Sequence, residues 1–311
     1  MSGSSPRPPT LGRNGLKTSK IHALLLETFT FWFRGRVLFV ARKGREREIE
    51  SQGREILAGG GGDFLLEGRG RPSVKGAGDE QLVWRRYRHG GILRRLTGDR
   101  FLDRRRPTNE LRMLEEARLA GIPVAIPVGL AIEPRSALLF RSWLVTALIP
   151  GARDLLSYCR GLPDVCQAEI QSENTRLAGL FGQLIARLHA AGFDHADLQM
   201  KNLLFRNTDS KTEVFVIDFD RARRFEVLNR RRRAKNLLRL RRSFFKMCFS
   251  LARQPGSVPA RFLRAYSPRD RALRRYVSHQ AGKTRWKDRI HWWGWKASAK
   301  LKRSCYAEPF T

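Results

Sequence analysis

One segment constrains this chain more than any other: "NTRLAGLFGQLIARLHAAGFDHADLQMKNLLFRNTDSKTEVFVIDFDRA", residues 174–222. Its first part places Leu177, Leu180, Phe181, Leu184, Ile185 and Leu188 at helical spacing, and Gly192 ends the run. Such a stripe is stable only when another apolar surface covers it. Next come His195, Asp197 and Asn202, and then two short apolar runs, "NLLF" and "EVFVIDF", across the turn "RNTDSK". The pattern predicts helix, polar loop, hairpin. Asp218 closes the second strand, so its carboxylate projects from a strand end beside Asn202.

The chain upstream reads differently. "DFLLEGRGRPSVK" and "EQLVWRRYRHGG" look like short strands around a Gly/Pro turn. "RPTNELRMLEEARLAG" carries apolar residues at helical spacing and stops at Gly121 and Pro123. "IPVAIPVGLAIE" and "ALLFRSWLVTALIPG" read as two more strands. Residues 63–150 therefore form a small β-β-α-β-β unit, and a helical region follows. Residues 1–20 are rich in Ser, Pro, Gly and Lys and read as disordered. Residues 21–57 read as a helix, with "AGGGG" from Ala58 as a linker.

That order of parts is what phosphoryl transfer from ATP requires. A glycine loop must approach the triphosphate closely, because only Gly lets backbone come so near. A cation must hold the phosphates and be oriented by a carboxylate. One Asp must meet the acceptor hydroxyl, and an Asn with a second Asp must hold Mg2+. Gly68 and Gly70 in "GRGR" supply the loop. Arg85 in "LVWR" stands where the V-A-I-K pattern has lysine, and Glu110 on the next helix pairs with it. Asp197 faces the acceptor, and Asn202 follows at D-x-x-x-x-N spacing. Taken singly, each is ordinary polar punctuation; order and spacing together carry the reading. His195 and His189 read as scaffold hydrogen-bonders, not as bases.

Charge narrows the partners. Lys plus Arg number 61 against 29 acidic residues, a net charge of +32. A surface of this kind seeks phosphate on nucleic acid, an anionic membrane or a polyanionic substrate. Twelve of the cations lie between Arg221 and Lys246, with Glu226 as the one acid. The tail from Gln280 interleaves Trp286, Trp292, Trp293 and Trp295 with cations, which suits an interfacial segment and equally a solvated basic face with Trp packed inward. Nucleic acid is disfavoured, since no helix-turn-helix or base-stacking signature is present. The run "IHALLLETFTFWF" is too short to span a bilayer, which needs about 20 apolar residues. Cys159, Cys166, Cys248 and Cys305 show no metal-ligand spacing and read as reduced thiols, so a cytoplasmic protein is expected.

"HADLQMKNLLF" with "VIDFDRA", and upstream "VWRRYRHGGILRRL", "NELRMLEEARLAGIPVAIPVG" and "LVTALIPGARDL", resemble the lipopolysaccharide kinases, most closely the 3-deoxy-D-manno-octulosonic acid (Kdo) kinases. The resemblance covers residues 63–250. It implies an α+β, bilobal protein-kinase-like fold: a β-rich N-lobe with one main helix at 56–149, and a larger helical C-lobe at 150–311. Residues 1–55 would be an extension. It further implies ATP- and Mg2+-dependent phosphorylation of a Kdo hydroxyl on a lipid A precursor, at the cytoplasmic face of an inner membrane. Asp197 corresponds to the catalytic Asp, and Asn202 and Asp218 to the metal ligands. Arg85 agrees with the arginine common in Kdo kinases. Asp220 stands where protein kinases have the Gly of D-F-G. Ala147 stands where relatives often carry an acidic hinge residue, which leaves adenine to be read by backbone. Two alternatives stay open: a heptose or aminoglycoside-like phosphotransferase, and a non-catalytic basic module binding membrane or nucleic acid.

Overall fold

The computed structural model describes residues 17–59, 63–64, 72–76, 80–87, 105–136, 139–162, 167–251 and 256–282. Gly68 and Gly70, residues 1–16 and the Trp-rich tail from residue 283 lie outside these.

The N-terminal half is built on one seven-stranded antiparallel sheet. Its strands are β1 (Phe29–Arg34), β2 (Val37–Arg42), β3 (Asp63–Phe64), β4 (Ser73–Lys75), β5 (Leu82–Arg86), β6 (Pro127–Pro134) and β7 (Phe140–Ala147). In space the order is β1-β2-β6-β7-β5-β4-β3. Side chains alternate across it, as the two-residue period of a strand requires. Leu130, Ile132 and Leu144 point to one face, where Leu111, Met113, Leu114 and Ala117 of a helix at Arg105–Leu119 join them. Ala131, Trp143, Val145 and Trp84 point to the other, with Phe39 and Ile49.

The second face corrects two expectations. Residues 21–57 are not one helix, and the described part of the expected 1–55 extension, residues 17–55, contributes two strands to the lobe's sheet. They form α1 (Lys17–Thr28), the hairpin β1–β2 and α2 (Glu46–Leu57). Strand β2 pairs with β6, Leu38 opposite Ile132 and Ala41 opposite Gly129. Helix α2 covers the sheet's second face through Ile49 and Gly53, and a Cβ on Gly53 would lie 2.6 Å from the Phe39 ring. The Glu46 carboxylate accepts from Thr30 at 2.7 Å, Glu50 from Trp32 at 2.9 Å, and the Gln52 amide oxygen from Trp84 at 2.8 Å. Arg42 ties the hairpin to the helix at Arg105–Leu119 by pairing with buried Glu115 at 2.6 Å. The aromatic and β-branched residues of "FTFWFRGRVLFVAR" suit a pleated surface, and Gly35 at φ +57° makes the turn.

The helix at Arg105–Leu119 is α3. The C-terminal half follows with β8 (Arg153–Asp154), α4 (Leu155–Gly161), α5 (Gln167–Ala190), β9 (Phe193–Asp194), a 3-10 turn (Met200–Asn202), β10 (Leu203–Asn207), β11 (Thr212–Val216), β12 (Arg223–Arg224), α6 (Arg230–Ser250) and α7 (Val258–Tyr266). Residues 271–282 are also helical. The stripe on α5 is buried as its period requires, Leu180 only partly. Helix α7 crosses α5 closely enough that a Cβ on Gly182 would lie 2.6 Å from the Phe262 carbonyl oxygen. Gly192, at φ +87°, ends α5 under the Phe225 carbonyl, where a Cβ would lie 1.9 Å from oxygen. Only glycine takes both the angle and the approach. The predicted hairpin forms, Leu203 opposite Val216 and Asn207 opposite Thr212. The halves meet where Val216 N–H donates to the Pro123 carbonyl at 3.0 Å.

Candidate active site

The hairpin delivers three of the sequence-predicted residues to one place. Asn202 closes the 3-10 turn, and its side-chain N–H donates to the Asp197 carbonyl at 2.8 Å. Across the hairpin the Ile217 N–H donates to the Asn202 carbonyl at 3.0 Å, which sets Asp218 beside Asn202. Asp218 holds φ +65°, a conformation that short polar side chains tolerate and that clusters at functional sites.

Arg85 reaches this group from β5. Its guanidinium pairs with Glu110 of α3, as expected, and also with Asp218 Oδ1 at 3.2 Å. The Tyr87 hydroxyl donates to the other Glu110 oxygen, and both Arg85 and Arg106 lie over the Tyr87 ring. Arg106 grips Asp220 through two nitrogens, Nε at 2.6 Å. The aspartate in place of the D-F-G glycine is thus half of a link to α3. Burial works against the charge on Arg85, but attraction to Glu110 and Asp218 raises its pKa. The arginine stays ionised between two carboxylates. Burial also lifts the Tyr87 hydroxyl well above its usual value, so Tyr87 is a neutral donor.

Asp197 is more open, with 27 % of its side chain exposed. Its Oδ1 accepts from Gln199 and pairs with Arg239 Nη2 at 2.8 Å, and its Oδ2 faces Lys201 Nζ at 3.7 Å. Both histidines serve as scaffold. His195 Nε2 donates to the Ile217 carbonyl at 3.0 Å, and the His195 backbone N–H donates to Asn236 Oδ1 at 2.9 Å. Burial depresses the His195 pKa, so the ring is neutral with its proton on Nε2. His189 bonds Tyr266 Oη at 2.7 Å and approaches Asn236 Oδ1 at 3.4 Å. Burial lowers its pKa to about 4. The Asn236 amide N–H donates to Asp194 at 2.7 Å. One asparagine on α6 therefore ties together both histidines and the start of the loop.

Sequence reasoning missed Asn236, Arg239, Tyr87 and Arg106. Tyr87 and Arg106 stand near Arg85 and Glu110 in sequence. Asn236, the lone amide on α6 among its cations, was the signal available there. The hinge expectation is also refined. Ala147 N–H donates to the Ile126 carbonyl at 2.9 Å and Leu148 N–H to Gln81 at 2.8 Å, so these two donors are already engaged.

A divalent cation fits the donor set. Asn202 spends its N–H on the Asp197 carbonyl, which leaves Oδ1 to face a cation. Asp218 gives Oδ1 to Arg85, which leaves Oδ2. Among the described residues no group of three or more His, Cys, Asp or Glu forms a closed metal cage. Two hard oxygens without a cage suit Mg2+, which is held by few protein ligands together with phosphate and water.

A family model described as "Lipopolysaccharide kinase (Kdo/WaaP) family" matches residues 64–266, more than half of the chain. The chain belongs to this family. It is 34 % identical over 172 residues to a 3-deoxy-D-manno-octulosonic acid kinase of Vibrio parahaemolyticus, covering 53 % of this chain and 65 % of that one. It is 35 % identical over 193 residues to the enzyme of the same name from Xanthomonas axonopodis pv. citri, covering 59 % and 70 %. The chain thus spans just under two thirds of the first relative's length. A solved structure titled "WaaP in complex with acyl carrier protein" superposes with a TM-score of 0.51 at 19 % identity, over 79 % of this chain and 98 % of that one. That likeness establishes the α+β fold, a sheet lobe followed by a helical lobe. No helix among the described residues is long and apolar enough to cross a membrane.

Proposed function

We propose that this family member is an ATP-dependent kinase that phosphorylates a hydroxyl of Kdo on a lipid A precursor. The observation that carries the reading is the convergence of Arg85, Glu110, Asp218, Asn202 and Asp197 from β5, α3 and the hairpin onto one site. The kinship with Kdo kinases supplies the acceptor class.

In the reaction the acceptor oxygen bonds to the γ-phosphorus, and the bond from that phosphorus to the β–γ bridging oxygen breaks. ADP carries that electron pair away. Asp197 orients the acceptor hydroxyl and takes its proton as the new bond forms. Arg85 holds phosphate oxygens with its planar fork, oriented by Glu110, which the Tyr87 hydroxyl fixes in turn. Asn202 and Asp218 would hold Mg2+, which supplies charge neutralisation of the transferring group when bound. His195 and Asn236 keep the loop and the strand end in register.

The same reading accounts for the cations. Helix α6 carries nine Lys or Arg and no acid in its 21 residues. Such a helix holds a protein at an anionic membrane surface without an anchor, and each nearby cation contributes about 1 kcal/mol. The protein therefore works as a peripheral kinase on the cytoplasmic face of the inner membrane. Mass spectrometry of lipid A-core from cells with and without the protein tests the acceptor. Loss of one phosphate from the Kdo fragment is expected; an unchanged Kdo fragment with phosphate missing from a heptose would overturn it.

A further inference from the structure

Five exposed cations of α6 form a single line. Arg231, Lys235, Arg239, Arg242 and Lys246 face solvent, while Ala234, Asn236, Leu237, Leu240, Met247 and Cys248 are buried. Four of these cations line a cleft of about 390 Å3, together with Tyr276, Gln280 and Ala196. Ala196 is the neighbour of Asp197, so this basic cleft opens beside the candidate base. Asp194 also lines it, but its carboxylate is bound by Arg232 at 2.9 Å and Asn236 at 2.7 Å.

Arg239 belongs to both places. It stands in the basic wall and lies 2.8 Å from Asp197 Oδ1. Gln199 shares that oxygen and Lys201 stands 3.7 Å from the other, so Arg239 is the cation at hydrogen-bond distance on this carboxylate. Arg239 is the partner made to be displaced. It is 46 % exposed, and an ion pair so open to water sits near break-even. A second anion placed in the cleft exchanges with Asp197 at little cost, and a guanidinium fork takes a carboxylate or a phosphate in two parallel bonds.

We propose that Arg239 is the specificity-determining residue for the acceptor. It binds an anionic group of an acidic glycolipid in the α6 cleft and thereby releases Asp197 to the acceptor hydroxyl. The inference rests on the kinase reading above and deepens it. A neutral sugar has nothing to offer Arg239, which then stays paired with Asp197. The anion is either the sugar carboxylate or a lipid A phosphate; both present the same oxygen chemistry.

Steady-state kinetics of the full chain separate these sources. The acceptors are a Kdo-bearing lipid A precursor, the same molecule with its Kdo carboxyl converted to an amide, and the same molecule without lipid A phosphates. For Arg239→Gln the expected result is an acceptor KM raised at least tenfold on the intact acceptor, with the ATP KM within twofold. Acceptor-independent ATP hydrolysis rises several-fold, because Asp197 Oδ1 loses its cationic partner. The difference between variant and wild type vanishes on the amide if the carboxylate is the ligand, and on the dephosphorylated acceptor if phosphate is. Arg239→Lys, which keeps the charge and loses the fork, falls between. An unchanged acceptor KM in Arg239→Gln overturns the inference, as does a penalty equally large on both stripped acceptors. A wild-type chain that hydrolyses ATP but transfers nothing to the intact acceptor sinks the kinase reading itself, and this inference with it.

Discussion

Two arginine–carboxylate groups flank the candidate site, and they are built in opposite ways. Arg85, 31 % exposed, pairs with a Glu110 side chain only 1 % exposed, and both have a second partner, Asp218 and Tyr87 respectively. Arg239 pairs with Asp197 where the two side chains are 46 % and 27 % exposed. A buried pair is costly to break, because its survivor is left charged away from water. An exposed pair is nearly free to exchange. The molecule thus fixes the Arg85 end of the candidate site and leaves the Asp197 end adjustable.

Mutation of each end tests this contrast. Asp197→Asn keeps the shape of the loop and removes the proposed proton acceptor. A fall in kcat of about a thousandfold is expected, within the range for general base loss, with the melting temperature nearly unchanged. A kcat near wild type would remove Asp197 from the chemistry. Glu110→Ala strands Arg85 and the Tyr87 hydroxyl. Chemical denaturation should report a loss of about 3–5 kcal/mol, together with a raised KM for ATP. If the loss stays near that of a surface substitution, the buried group is not the rigid end described here.

The scaffold behind the loop gives a smaller effect, with a defined sign. His189 has a pKa of about 4 in the folded protein against 6.5 ordinarily. Between these values the unfolded chain binds a proton that the folded chain refuses. Its contribution is therefore complete above pH 6.5 and is lost as pH falls toward 4. At most about 3 kcal/mol is at stake. Subtracting the stability–pH curve of His189→Gln from that of the wild type isolates this term, and a flat difference would contradict the buried neutral imidazole. The smallest effect belongs to Arg176–Glu173, an exposed i,i+3 pair on α5 at 2.7 Å. Arg176→Ala should cost no more than about 0.5 kcal/mol in the same measurement.

The same contrast explains what the sequence could reveal. Asp197, Asn202 and Asp218 were legible because one hairpin links them, and Arg85 with Glu110 because a strand followed by a helix brings them together. The stripe from Leu177 to Leu188 was legible because its period admits one reading. Arg239 was hidden by number. Among nine cations on one helix, only packing decides which turns toward the loop. Asn236 was hidden because a polar residue on a basic helix reads as surface until His189, Asp194 and His195 converge on it. The hairpin β1–β2 was misread because a run such as "FTFWF" is apolar at every period, so helix and strand fit equally well.

That hairpin determines how the protein tolerates shortening. Strand β2 occupies the outer edge of β6 from Leu38 to Ala41, and α2 covers the Trp84 face. A variant that began after Leu57 would keep every candidate catalytic residue, yet β6 would present an unpaired row of amides and carbonyls beside bare aromatic rings. Such an edge recruits strands from other molecules. Removal of the first 57 residues should therefore be felt as self-association, well before any loss of phosphoryl-transfer chemistry could be measured.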